Sequence, residues 1–124
     1  MKIACGIDII EIDRIKENID KLENKFLNKI FTQKEIQYCE GKKKQKYQHY
    51  AARFAAKEAC FKAISKSLKS KYDITWQDIE VENDKNGKPQ LHIKKVDTNL
   101  IENIDISISH CKQYAIANVV VLYK

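Results

Sequence analysis

From residue 2 to residue 10 the chain is rich in isoleucine and nearly continuously apolar, which predicts a buried strand broken by Asp8. The period then changes. Ile12, Ile15, Ile19, Leu22 and Phe26 recur at intervals of three and four, so a helix follows the strand directly. Thr32, Gln33, Lys34 and Glu35 form a capping-box sequence, in which the threonine hydroxyl accepts the backbone N–H of Glu35 while the glutamate reaches back. A short helix over 33–40 is predicted from it, with Gly41 placed at its end. A long central helix is expected from about Tyr47 to Leu68, where neither glycine nor proline interrupts. On its wheel Tyr50, Phe54, Phe61 and Leu68 make one apolar stripe, and Glu58 sits within that stripe with Lys62 one turn on.

The second half turns to strands. Segments 78–84 and 89–95 flank Asn86-Gly87, the strongest short hairpin signal a sequence carries. Segment 97–103 adds a helical turn, 104–109 alternates apolar and polar, 110–113 is a turn, and 114–123 is nearly all apolar. In that last strand Ile116, Val119, Val120, Val121 and Leu122 put apolar groups on both faces, whereas a small sheet with one helical cover needs only one. The second face is either buried within the chain or covered by a partner. The expected class is α+β, a small antiparallel sheet packed against one long central helix, as a single domain over 1–124.

Composition narrows the setting. With 124 residues, 44% hydrophobic and 32% charged, the chain is long enough for one core and too short for two comfortably. Its four cysteines, Cys5, Cys39, Cys60 and Cys111, include no C-x-x-C pair and read as free thiols of a reducing compartment. Asp8 interrupts the first apolar run, so that run is neither a signal sequence nor a membrane span, and a cytoplasmic protein is expected. A net charge of +6 favours polyanionic company: nucleic acid, a phosphorylated small molecule or an acidic protein. The basic run at 41–46 reads as a solvated loop.

Three groups of residues carry candidate chemistry. Asp8 among isoleucines must neutralise or find a cation, unless it caps the helix after the strand. Glu58 raises the same question beside Phe54 and Phe61, with a surface pair to Lys62 as the plainer reading. Two such carboxylates brought together repel unless a proton or a hard divalent cation joins them. The third group is basic: Arg53 and Lys57 on the central helix, Asn86, Gly87, Lys88 and Pro89 at the hairpin, and His110 at a strand end. Arginine forks and glycine-exposed amides suit phosphate oxygens, although a plain hairpin turn and a polar strand end are the first readings of the last two.

Taken in order, the segments GIDII, RFAAKEACFKA, NDKNGKP and SISHCKQYAIA resemble the holo-acyl-carrier-protein synthase family, the small 4'-phosphopantetheinyl transferases. The resemblance covers nearly the whole chain, at the length of the single-domain trimeric members. It implies that Asp8 and Glu58 hold Mg²⁺ against the pyrophosphate of coenzyme A, and that Glu58 activates the serine hydroxyl of an apo acyl carrier protein. Lys62 is then placed to stabilise phosphate charge. Arg53, Lys57, Asn86, Gly87, Lys88, Pro89 and His110 fall in the coenzyme A site, with Phe54 walling the cleft. Arg14, Lys21 and Lys25 form the basic face that meets the acidic carrier protein, and a homotrimer with sites between subunits is expected. Members commonly have a glycine-rich turn after the central helix and arginine before it; this chain has no glycine from 42 to 86 and only lysines in the basic run. The alternative from another class is a small basic nucleic-acid-binding module, which leaves Asp8 and Glu58 without a role.

Overall fold

The computed structural model describes residues 1–65, 68 and 73–124, with the backbone alone at residue 98. In chain order the elements are β1 (Lys2–Glu11), α1 (Ile12–Leu22), α2 (Asn24–Ile30), α3 (Gln33–Glu40), α4 (Lys46–Ala63), β2 (Ile79–Asn83), β3 (Pro89–Ile93), β4 (Ile101–His110) and β5 (Tyr114–Tyr123). Two antiparallel sheets result, one of order β1-β5-β4 and the other the hairpin β2-β3. The α+β expectation holds, with α4 as the central helix.

The local signals behave as their chemistry requires. Both halves of the capping box at Thr32 and Glu35 form, and α3 covers the expected residues. The hairpin is there, but its turn is longer than an Asn-Gly pair alone would give. Asp84 pairs its backbone with Lys88 and Gly87, while its carboxylate accepts the N–H groups of Asn86 and Lys88. Gly87 sits at φ +84°, the left-handed region glycine enters without cost.

The packing corrects three expectations. The helical run after β1 breaks at Glu23, which adopts φ +52°, so Leu22 ends α1 45% exposed and Lys25 belongs to a second helix. The central helix stops at Ala63, short of Leu68, and just beyond it the Ser65 hydroxyl donates to the Lys62 carbonyl; residues 66 and 67 of the expected helix lie outside the described residues. The core face of α4 is made mostly of alanines: Ala51, Ala52, Ala55, Ala56, Ala59 and Ala63 are buried against the sheet, and of the aromatic stripe Tyr50 is fully buried in the core while Phe54 and Phe61 lie at the margin around Trp76. Small side chains let the sheet come close, and the Phe54 and Phe61 rings are displaced to its edge.

That closeness is greatest at Gly6. A Cβ there would lie 2.0 Å from the Ala59 carbonyl oxygen and 2.9 Å from the Ala63 nitrogen. The opposite face of β1 is open in the single chain, with Ile3, Ile7 and Ile9 at 73%, 59% and 60% exposure, so β1 is buried on one side only.

Gly6→Ala is therefore expected to lower the unfolding free energy by about 3 kcal/mol, since overpacking against backbone cannot be relieved by a rotamer change. A urea midpoint equal to that of the unaltered protein would show that β1 does not approach α4 this closely.

Candidate active site

Side chains alternate along a strand, so Gly6 and Asp8 share the face of β1 that lies on α4. On α4 the residues bracketing Ala59 are Glu58 and, one turn on, Lys62. Lys62 donates to the Ile7 carbonyl at 2.8 Å and meets the Asp8 carboxylate at 3.4 Å. Burial raises the Asp8 carboxyl above its ordinary range, and Lys62 only partly offsets that effect. Glu58, half-buried, is raised by its own burial and then by the field of Asp8, with Lys62 acting in the other direction. The structure thus brings together Asp8, Glu58 and Lys62: two hard oxygen donors that disfavour each other's charge, beside one cation. Glu58 also stands at the rim of a cavity of about 880 Å³ whose apolar wall includes Phe61, Ile74 and Trp76.

A second group forms elsewhere. Arg53, 3% exposed, lays its guanidinium 3.9 Å from the centre of the Tyr38 ring, and Asn83 donates to the Tyr38 hydroxyl at 2.8 Å. His49 meets Tyr38 edge-on at 5.5 Å and His110 at 5.9 Å. Asn86 and Gly87 are exposed at the hairpin tip, Pro89 opens β3, and Lys88 joins the hairpin to β4 through an ion pair with Asp105 at 3.4 Å. Phe54 stacks on Trp76 at 5.0 Å. Arg53 and Glu58, five residues apart, point about 140° apart around α4. Among the described residues no hydrogen bond, ion pair or ring contact joins Arg53, Tyr38, His49 or His110 to Asp8, Glu58 or Lys62, while Phe54 lies on the Trp76 side with Glu58.

Lys57 requires a correction. It is fully buried and its ammonium is used up by the Glu35 carboxylate and by the carbonyls of Ile30 at 2.6 Å and Trp76 at 3.1 Å, so it has no proton left for a ligand. Arg14 and Lys21 are exposed on α1 and Lys25 on α2, although α1 also carries Asp13, Glu17 and Asp20 and is not purely basic. The basic run is more than a solvated loop, since Lys42 lies 4.9 Å from the Tyr38 ring centre. All four cysteines are unpaired, and burial pushes the thiols of Cys39 and Cys60 up to about 12. Tyr38 and His49 were passed over in the sequence; the one available signal was that His49 precedes Arg53 by one helical turn.

Residues 4–119 match the sequence pattern of the 4'-phosphopantetheinyl transferase superfamily. The chain belongs to that superfamily. A holo-[acyl-carrier-protein] synthase of Ruminiclostridium cellulolyticum is 41% identical over 126 residues, covering 98% of this chain and 92% of that one. Among solved structures, the Bacillus anthracis holo-(acyl-carrier-protein) synthase in complex with CoA (3',5'-ADP) superposes with a TM-score of 0.78 at 38% identity, over 95% of this chain and 94% of that one. The Helicobacter pylori holo-[acyl-carrier-protein] synthase in complex with coenzyme A gives 0.81 at 32% identity, over 95% and 99%. The nucleic-acid-binding alternative gains no support from these relatives.

The carboxylate pair predicts a stability effect of definite sign. An acid whose folded pKa is raised binds its proton more tightly when folded, so stability falls as pH rises from the ordinary carboxylate range through the raised value. Glu58→Gln is expected to raise the thermal midpoint at pH 7.5 by a few degrees and to lose that advantage in acid. A lower midpoint at pH 7.5 would mean that the Glu58 charge is welcome where it stands.

Proposed function

We propose that this chain is a Mg²⁺-dependent holo-[acyl-carrier-protein] synthase, which moves 4'-phosphopantetheine from coenzyme A to a serine of apo acyl carrier protein and releases adenosine 3',5'-bisphosphate. The observation that carries this reading is the Asp8–Glu58 pair held beside Lys62 on a scaffold that matches coenzyme A-bound relatives.

The donor set fits a hard dication: both groups are carboxylates, each is destabilised as an anion, and two protein ligands leave positions for phosphate oxygens and water. Asp8 and Glu58 would hold Mg²⁺ there, and the ion would supply neutralisation of the charge that builds on the leaving group. The carrier serine oxygen bonds to the phosphorus bearing pantetheine, the bond from that phosphorus to the bridging oxygen breaks, and its electron pair leaves with adenosine 3',5'-bisphosphate. Glu58, with its pKa raised, is suited to take the serine proton. Lys62 is exposed enough to turn from Asp8 toward phosphate charge. The apolar cavity beside Glu58 suits the pantetheine arm. Arg53, Asn86, Gly87, Lys88, Pro89 and His110 belong to the nucleotide end, and Phe54, one turn before Glu58 and stacked on Trp76, walls the cleft; Lys57 does not belong to it, for the reason given above. Arg14, Lys21 and Lys25 would receive the acidic carrier protein by charge complementarity. The setting we assign is the cytoplasm and fatty acid biosynthesis, and no described helix is long and apolar enough to cross a membrane.

The test is direct. Apo carrier protein incubated with coenzyme A, Mg²⁺ and this protein should gain the mass of phosphopantetheine, a chelator should stop the gain, and Asp8→Ala or Glu58→Ala should lower the rate at least about a hundredfold. Undiminished transfer by either variant at low Mg²⁺ would remove the metal pair.

Assembly follows from the same geometry. The metal end and the nucleotide end lie on different sides of α4, and the outer face of β1 and β5 exposes Ile3, Ile7, Ile9 and Val120. We assign these to a homotrimer in which each site takes its metal end from one chain and its nucleotide end from the next. Mixing inactive Asp8→Ala chains with inactive Arg53→Ala chains should restore a measurable fraction of activity. An active monomer by light scattering would refute the shared site.

A further inference from the structure

Helix α2 has seven residues, too few to hold its shape alone, and its last carbonyls lack helical partners. Two side chains from elsewhere supply them. The Gln77 amide donates to the Asn28 carbonyl at 2.7 Å and to the Phe31 carbonyl just beyond the helix, while the Lys57 ammonium takes the Ile30 carbonyl at 2.6 Å. Each donor is also tied to Trp76: Gln77 follows it in the chain, and Lys57 donates to its carbonyl at 3.1 Å. Among the described residues no other hydrogen bond passes directly between α2 and the turn at Trp76.

That turn is itself stiff. Thr75 and Asp78 close a capping box across it, and Asp78 meets Lys95 at 3.5 Å. The indole stacks on Phe54 at 5.0 Å and meets Phe61 edge-on at 5.4 Å, and those two rings flank Glu58 by about one turn of α4 on either side. The cavity of about 880 Å³ beside Glu58 takes lining from both ends of the Gln77 link: Asn28 and Lys29 come from α2, Thr75 and Trp76 from the turn. A link that fixes the separation of two lining segments fixes the width of the cleft between them.

Resting on the assignment of this cavity to the pantetheine arm of coenzyme A, we propose that Gln77 is a positioning residue for that arm: by tying the end of α2 to the Trp76 turn, it sets the width of the cleft beside Glu58. It touches no reacting atom. Gln77 is exposed, so removing its donors leaves the core intact and loosens the cleft alone. A flexible arm loses the same freedom on binding whether the cleft is tight or loose, and a loose cleft returns less contact for it. Adenosine 3',5'-bisphosphate has no arm, so its affinity does not depend on the link.

Calorimetry on the assembled protein, with Mg²⁺ present, compares coenzyme A with adenosine 3',5'-bisphosphate. Gln77→Met keeps the length of the side chain and removes both donors. It should weaken coenzyme A binding at least about threefold, the worth of one net hydrogen bond, and leave the bisphosphate unchanged. Gln77→Lys, whose ammonium can donate to the same helix-end carbonyls, should restore coenzyme A binding. Trp76 is the chain's one tryptophan, so acrylamide quenching of its fluorescence reads the turn directly; quenching should rise in Gln77→Met and fall back in Gln77→Lys. Full-strength coenzyme A binding by Gln77→Met, a loss shared equally by the bisphosphate, unchanged quenching, or no recovery in Gln77→Lys would each overturn the inference while the proposed transfer stands. If the unaltered protein binds neither nucleotide, the proposed transfer itself falls.

Discussion

A strand cannot lie against a helix backbone unless something is missing from both, and here the missing atoms are the Cβ of Gly6 and everything beyond Cβ along the alanines of α4. Ala55, Ala56, Ala59 and Ala63 make a face without bulk, and Gly6 lets β1 settle onto it at Ala59. The functional consequence comes from strand periodicity. The residue two beyond Gly6 must point the same way, so Asp8 is carried to the helix where Glu58 and Lys62 flank the contact. The glycine does not touch the chemistry; it sets how far apart the chemical groups can be.

The rotation of α4 about its own axis is fixed by a different device. Lys57 and Glu35 are both fully buried, and together they tie α4 to the end of α2 at Ile30, to the capping turn of α3, and to β2 through the Val81 N–H. An ion pair of this kind stabilises little compared with apolar packing, but losing one partner leaves an uncompensated buried charge, which costs about 3–5 kcal/mol. With Lys57 pinned inward, Glu58 is held at the helix edge and Arg53 on the side of Tyr38. One sequence position separates a structural cation from the carboxylate we place in catalysis.

What could be read from the sequence follows from how local each signal is. The capping box of α3, the hairpin around Gly87, the order of strands and helices, and the oddness of Asp8 and Glu58 depend on neighbours within a few residues, and the structure holds all of them. The misplaced features depend on distant partners. Nothing within a turn of Lys57 shows that Glu35, twenty-two positions earlier, will take its charge, so it looked like any helical lysine. The aromatic stripe read as the core face because bulk usually marks the buried side. Tyr50 is buried as read, but a close sheet prefers alanine and sends Phe54 and Phe61 to Trp76, a residue outside the helix. His49 was illegible for the same reason, since its meaning comes from Tyr38 and His110 on other elements.

The division of the molecule into two chemical ends also explains its unusual sheet. The outer face carries isoleucines on β1 and Val120 on β5, but Asn103, Asp105, Ser107 and Ser109 on β4, so the apolar half can be covered by another chain while the β4 side stays in water. His110 closes that wet strand and Asp105 holds Lys88 of the hairpin, which leaves the nucleotide end at the margin of the covered face. In the homotrimer proposed above, a head-to-tail ring would use each margin once, the metal end of one chain meeting the nucleotide end of the next until the ring closes. On this reading the exposed isoleucines and the two separated halves of the site have one cause. In that ring, burying the first would bring the second together.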